Sequence, residues 1–193
     1  MKLSPIIKRL RERCPAFAQR VAGAAEFKSL PETSNLNTPA AYVLLLDDEA
    51  TRVEAMNGYE QSVRDGFAVI VVVSNRADER GQGAADELDD HRKALWKALL
   101  GWAPDDEHGW IEYEGGEVIH MDRARLYYQF EFAADLDITA EMTGQGADLE
   151  AAPEFSGVTF GIDCIDPADP NLRTPGPDGR TEAELSFTLP TTE

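Results

Sequence analysis

Seven consecutive apolar residues at 67–73 (FAVIVVV), most of them β-branched or aromatic, predict a strand. The lack of alternation predicts that both of its faces are covered. A second run at 40–46 (AAYVLLL) predicts a neighbouring strand that ends at the acidic cluster Asp47, Asp48 and Glu49. If pairing resumes at Tyr59, residues 47–58 are the exposed tip of a long hairpin. Residues 124–133 (ARLYYQFEFA) alternate instead. Leu126, Tyr128, Phe130 and Phe132 face one way and Arg125, Tyr127, Gln129 and Glu131 the other, as in an antiparallel strand with one buried face. Residues 110–113 and 117–121 flank Glu114-Gly115-Gly116, and the adjacent glycines predict a tight hairpin turn there.

Helical signals occur near the start and in the middle of the chain. Ser4-Pro5 predicts a helix with Ser4 as its N-cap, running to about Arg13 with Ile6, Ile7 and Leu10 as its apolar stripe. Cys14-Pro15 stops it, because a residue before proline avoids helical dihedrals. A second helical piece is predicted over 16–27, and residues 31–39 read as a loop. Over 84–102, Ala84, Leu88, Leu95, Ala98, Leu99 and Trp102 recur on one side of a helix. Its acids (Asp86, Glu87, Asp89, Asp90) precede its bases (Arg92, Lys93, Lys97), the order the helix dipole favours, and Gly101 is placed to cap it.

From about Thr139 the composition changes. Gly144, Gly146, Ala151, Ala152 and Pro153 predict a linker, 158–165 a short strand, 166–179 a proline-rich irregular arm, and 184–189 a last strand. The expected fold is therefore α+β. A mostly antiparallel sheet with helices packed on one face occupies 1–138, and 139–193 form an acidic, Pro/Gly-rich C-terminal arm that docks on the main domain or on a neighbouring copy.

Charge sharpens this picture. Across 193 residues, 36 acids against 18 bases give a net charge of −18, which argues against a protein that grips nucleic acid by counterion release. Residues 1–28 hold seven bases and two acids, whereas from Ala134 onward thirteen acids meet only Arg173 and Arg180. A positive start and a negative end attract one another, within a chain or between copies. Without a long apolar run or the apolar core of a signal peptide, the chain is expected in solution. Cys14 and Cys164 form no pair motif and are expected as free thiols.

Candidate chemistry is sparse. Gly81-Gln82-Gly83-Ala84-Ala85-Asp86 follows a strand and opens a helix, as a dinucleotide fingerprint does. Yet Asp86 replaces the third glycine, and Asp78, Glu79 and Glu87 would repel a pyrophosphate. Asp163, Asp166, Asp169 and Asn171 could offer oxygen ligands to calcium, but the spacing is not that of an EF-hand and the prolines between them favour turn caps. His91, His108 and His120 form no zinc-spaced pair. No nucleophile elbow or catalytic cysteine signature is present, and Glu112 with Glu114 does not indicate a glycosidase in so acidic a chain. Trp96, Trp102 and Trp110 read as core or interface anchors. No catalytic, cofactor or metal site is expected.

Residues 57–78 (NGYEQSVRDGFAVIVVVSNRAD), the helix ending LWKALLGWAPDD, and YEGG followed by RARLYYQFEF resemble the tail terminator proteins of long-tailed bacteriophages, over roughly residues 1–138. IDPADPN (165–171) and PGPDG (175–179) are similar to C-terminal arms of some members. The resemblance implies a non-enzymatic virion protein, made in the host cytoplasm, that forms a six-membered ring on the head-proximal end of the tail tube. Such a ring ends tube polymerisation and meets the head-side connector, with DNA passing through the lumen unbound and no membrane involved. On that reading, contact candidates are Arg9 and Arg13 on the first helix, Asp47, Asp48 and Glu49 at the hairpin, and Phe160, Ile162 and Ile165 in the arm. Three other readings stay open: another ring-forming tail or neck part, such as a tube or head-completion subunit; a nucleotide-dependent enzyme using the 81–86 glycines; and a free-standing acidic binding module, for which the sequence offers no partner.

Overall fold

The computed structural model describes residues 1–24, 36–53, 58–75, 82–163, 179, 181 and 183–189. Residues 76–80 after the apolar run, most of the 166–179 arm, Cys164 and Ile165 lie outside them. The chain divides into two compact units, Met1–Gly146 and Ala147–Glu193.

The first unit is built on a five-stranded sheet. Helix α1 (Leu3–Arg13) precedes β1 (Val21–Gly23), β2 (Ala40–Ala50), β3 (Glu60–Ser74), α2 (Gln82–Leu99), β4 (Glu112–Met121) and β5 (Arg125–Thr139). The spatial order is β1-β2-β3-β5-β4, parallel only between β1 and β2. The apolar run at 67–73 lies in the central strand, as its composition requires, and every residue of it is buried. Phe67, Val69, Val71 and Val73 face the helices and share a core with Ile6 and Leu10 of α1, Leu95, Ala98 and Leu99 of α2, and Phe130 and Phe132 of β5. Both helices thus lie on one face. The second face carries a smaller cluster in which Ala40, Tyr42, Ile70 and Val72 are packed by Leu36, Leu44 and Tyr127. The fold class is α+β, as expected.

Several local expectations are corrected. Helix α1 begins at Leu3 with Lys2 at its cap, so Ser4 lies inside the first turn and makes no cap. Pro5 is still accommodated because first-turn N–H groups have no intrahelical partner. Instead of a helical piece from residue 16, the chain makes a single 3-10 turn (Pro15–Phe17) and then β1. Left-handed dihedrals at Ala18 and Gln19 turn the backbone out of the helix, and pairing of Val21 with Ala41 holds it as a strand. Strand β2 does not stop at Asp47. A register shift between Leu45 and Asp48 lets it continue to Ala50, opposite Asp65, Arg64 and Val63 of β3, so the acidic cluster lies in the hairpin's strand rather than at its tip.

The Gly115-Gly116 pair is not a turn. It lies within β4, at a register shift between Tyr113 and Gly115. Gly116 is required for a different reason: a Cβ there would lie 2.6 Å from Tyr128 Cε1 and 2.8 Å from the Gln129 carbonyl oxygen. Strand β5 extends past the alternating segment to Thr139 because β3 pairs with it along its whole length. The linker expected beyond it contains a helix, α3 (Gly144–Glu150), whose Gly146 N–H donates to Thr143 Oγ1 at 3.2 Å. Trp110 is 73% exposed, so it is no core anchor. His91 is buried and stacks on Phe17. Cys14 is a buried free thiol whose pKa burial pushes up to about 11.

The second unit, described alone, is an antiparallel pair, β6 (Gly157–Ile162) with β7 (Ala183–Thr188). Its register puts Val158, Phe160 and Ile162 beside Phe187, Leu185 and Ala183 on one face, with Thr159 and Ser186 on the other. Val158, Phe160, Ile162, Leu185 and Phe187 are all exposed.

Gly116→Ala is expected to destabilise the chain by about 1–3 kcal/mol, since one of the two blocking atoms, the Gln129 carbonyl oxygen, is backbone that cannot step aside. Gly115→Ala, which meets nothing within 4 Å, is expected to fall within about 0.5 kcal/mol of the parent in urea unfolding. Equal effects would contradict this placement of the pair.

Candidate interface at the outer end of the sheet

Beyond residue 67, toward its start, β3 leaves the apolar core while still pairing with β2 and β5. Polar contacts replace apolar packing there. Because side chains alternate across a strand, adjacent Arg64 and Asp65 serve opposite faces.

On the second face Arg64 gathers three carboxylates. Its Nη1 donates to Asp135 at 2.7 Å, its Nη2 to Glu112 at 2.8 Å, and both Nε and Nη2 donate to Glu114. The hydrogen bonds to Glu112, Glu114 and Asp135 push its pKa still further above the ordinary arginine value. One positive charge against three negative ones leaves this corner negative. Ser62 donates to Asp137 at 2.7 Å beside it. Glu112 and Glu114 are thus the arms of a clamp joining β4 to β3.

On the helix face His108 bridges two aspartates. Nε2 lies 2.9 Å from Asp65 and Nδ1 lies 2.7 Å from Asp105, and the imidazole is almost fully buried. The Met1 amine lies 2.6 Å from the same Asp65 oxygen. Asp105 also accepts the backbone N–H groups of Glu107 and His108, which shapes the turn after Pro104. This lock ties β3 to the 105–110 loop and the start of α1. Burial lowers the imidazole pKa, but hydrogen bonds to Asp65 and Asp105 more than offset it, and the net direction is up. Burial likewise raises both aspartates, and it is outweighed. The Met1 amine and His108 hold Asp65 below the usual carboxylate range, and His108 with the turn N–H groups does so for Asp105.

Among the sequence candidates, Asp47, Asp48 and Glu49 lie exposed in the outer half of β2. Arg13 is exposed in the last turn of α1. Arg9 is engaged within the chain: Nε donates to the Ala98 carbonyl at 2.5 Å and the guanidinium lies 4.4 Å from the Trp102 ring centroid. Phe160 and Ile162 are in β6, in the second unit, and Ile165 is outside the described residues. Of the acidic set proposed for calcium, Asp163 accepts the Gly179 N–H at 2.7 Å and the others are likewise outside. Among the described residues no group of three or more His, Cys, Asp or Glu is arranged to hold a metal, and no helix is long and apolar enough to cross a membrane. Sequence reasoning missed both the Arg64 clamp and the His108 lock. Asp105 and His108, three apart after a proline, were the only local signal.

The family model for phage tail terminator proteins matches residues 1–143, almost three-quarters of the chain and all of the five-stranded sheet. This chain belongs to the phage tail terminator family. It is therefore a structural protein of a phage tail, associated with other virion proteins. Among solved structures, a chain of the virion of a native gene transfer agent (GTA) particle is similar over 69% of this chain and 92% of its own. The two share 14% identity at a TM-score of 0.43. No curated protein matches the sequence.

The signs of the pKa shifts give this terminator-family lock a defined pH window. A raised histidine contributes its full stability below the ordinary value of about 6.5 and loses it as pH rises through the folded value. The depressed aspartates contribute above the ordinary value of about 3.9 and lose it as pH falls. The lock is strongest between about pH 4 and 6.5. His108→Gln is expected to flatten the fall in melting temperature between pH 6 and 8.5, and an unchanged slope in thermal unfolding would contradict the lock.

Removing the clamp leaves three carboxylates facing one another. Arg64→Gln is expected to lower the melting temperature at low ionic strength, with the loss shrinking as NaCl is added. A loss independent of salt would contradict the electrostatic account.

Proposed function

We propose that this chain is the subunit of a ring, six-membered as the resemblance implies, that sits on the head-proximal end of a tail tube. The ring ends tube polymerisation and presents its other side to the head-side connector. The observation that carries this reading is the family match over residues 1–143. The fold supports it in a second way: the outer half of the sheet is exposed, acidic and braced on both faces, which suits a rigid surface for repeated protein contacts. Identical head-to-tail contacts around a closed ring let one chain end a helical stack without a separate stopper. The net charge of −18 fits a lumen that repels DNA in transit rather than holding it. The protein acts by shape, with no catalytic step or cofactor, in the virion after synthesis in the host cytoplasm.

Contacts are assigned to Asp47, Asp48 and Glu49 on the projecting strand, to Arg13 on α1, and to Phe160, Ile162 and Ile165 in the acidic C-terminal arm. Arg9 holds α1 in place for them. The arm, residues 139–193 in the sequence division, buries its apolar hairpin face on a neighbouring copy.

Electron microscopy and native mass measurement of the full chain, alone and with tail tubes, test the ring. Expected are single rings of six at one end of each tube. Long tubes of this chain alone would make it a tube subunit, and a persistent monomer absent from tube ends would refute the reading. Phe160→Asp with Ile162→Asp is expected to leave the melting temperature unchanged, because both side chains are exposed, and to reduce ring formation. Undiminished rings would remove the arm from the contact.

A further inference from the structure

The second face of the sheet, near the Arg64 clamp, carries a groove of ≈ 210 Å³. Its floor is apolar, from Leu46, Gly66 and Ala133 with the backbone of Phe132, whose ring lies in the helix-side core, and its walls are acidic, from Asp47, Glu49, Glu114 and Glu131. Arg64 is the single base lining it, and its guanidinium is already engaged by Glu112, Glu114 and Asp135. An apolar floor with negative walls matches a basic side chain, whose aliphatic stem packs on the floor while its charge meets the carboxylates. Asp47 and Glu49 are the wall residues on β2, exposed in its outer half.

The same chain carries the complementary group elsewhere. Helix α1 bears four bases, Lys8, Arg9, Arg11 and Arg13, and one acid, Glu12. Two of the bases are occupied internally: Arg9 by the Ala98 carbonyl and Trp102, and Arg11 by the Val21 carbonyl at 2.6 Å from Nη2. Lys8 and Arg13 extend into solvent. These bases cannot enter the groove of their own copy, because α1 packs on the helix face of the sheet and the groove opens on the other. A second copy can supply them.

Resting on the ring reading above, we infer that the subunit contact seats the exposed basic end of α1, with Arg13 as its anchor and Lys8 adding positive charge one turn back, in the Asp47–Glu49 groove on the second sheet face of the next copy. The contact is heterologous: each copy uses its helix on one side and its groove on the other, so repetition closes a ring rather than a two-fold dimer. Coupling between charges of opposite sign sets which side meets which, and it makes assembly sensitive to salt.

Paired charge reversals in the full chain test this. One variant carries Asp47→Lys and Glu49→Lys, the other Lys8→Glu and Arg13→Glu. All four positions are exposed, and melting temperatures close to the parent establish that both variants are folded. Each variant alone is expected to lose ring formation by about tenfold or more in native mass measurements. An equimolar mixture is expected to recover rings of alternating copies, because each groove then meets a helix of opposite charge. The chain carrying all four reversals is also expected to recover them. Rings of the parent should weaken as NaCl rises. Rings formed by both single-surface variants as readily as by the parent would overturn the contact and leave the ring standing. Failure of the mixture to recover, with both variants folded, would also overturn it. A parent chain that makes no ring with or without tubes would overturn ring and contact together.

Discussion

The pairing register of β3 is the constraint on which the rest depends. In its inner half the alternation sets Phe67, Val69, Val71 and Val73 into the helix-covered core and Ile70 and Val72 into the cluster on the second face. Each such side chain contributes roughly 1.5–3 kcal/mol when taken fully out of water. In its outer half the same alternation sends Asp65 to the His108 lock and Arg64 to the carboxylate clamp. A slip of one residue would exchange the faces of every side chain. Core and locks would then fail together, so the apolar half of the strand fixes where the charged half points.

That coupling explains how a sheet can extend beyond its core without fraying. Fifteen residues of β3 pair continuously with β5, from Glu60 opposite Thr139 to Ser74 opposite Arg125. Past Phe67 little apolar surface is available to hold them. The clamp and the lock replace it with charged hydrogen bonds on opposite faces, one tying in β4 and β5 and the other tying in α1 and the 105–110 loop. The arrangement leaves negative charge over at the clamp, since a single guanidinium faces three carboxylates while Asp47 and Glu49 stand nearby. A surface that is both stiff and incompletely neutralised suits contact with basic groups of another molecule.

Much of the fold was legible in the residues. The doubly apolar run at 67–73, the alternation of Leu126, Phe130 and Phe132, and the periodicity of α2 all report burial, which one side chain reveals by its own chemistry. What was hidden depends on partners far away in sequence. Asp47 to Ala50 read as a turn because acids are poor strand formers, yet pairing with β3 holds them extended. Gly115 and Gly116 read as a turn because glycine permits one, whereas the real demand is the close approach of Tyr128 and Gln129 to Gly116. The candidate site was the least legible part. Asp65 and His108 are 43 residues apart, and Arg64 lies 71 from Asp135, so no local pattern marks either pair. The acids at 47–49 stand out in the sequence as a charged end to an apolar strand, but the groove behind them exists only once β2, β3, β4 and β5 are side by side.

Hydrogen–deuterium exchange of the full chain, free and assembled on tail tubes, addresses the central claim most directly. The account predicts the slowest exchange at 67–73 in both states, measurable protection at 60–66 in the free chain, and a further slowing at 47–50 and 60–66 on assembly. Free exchange at 60–66 in both states would contradict the claim that β3 carries one register from the core to a braced outer surface used in assembly.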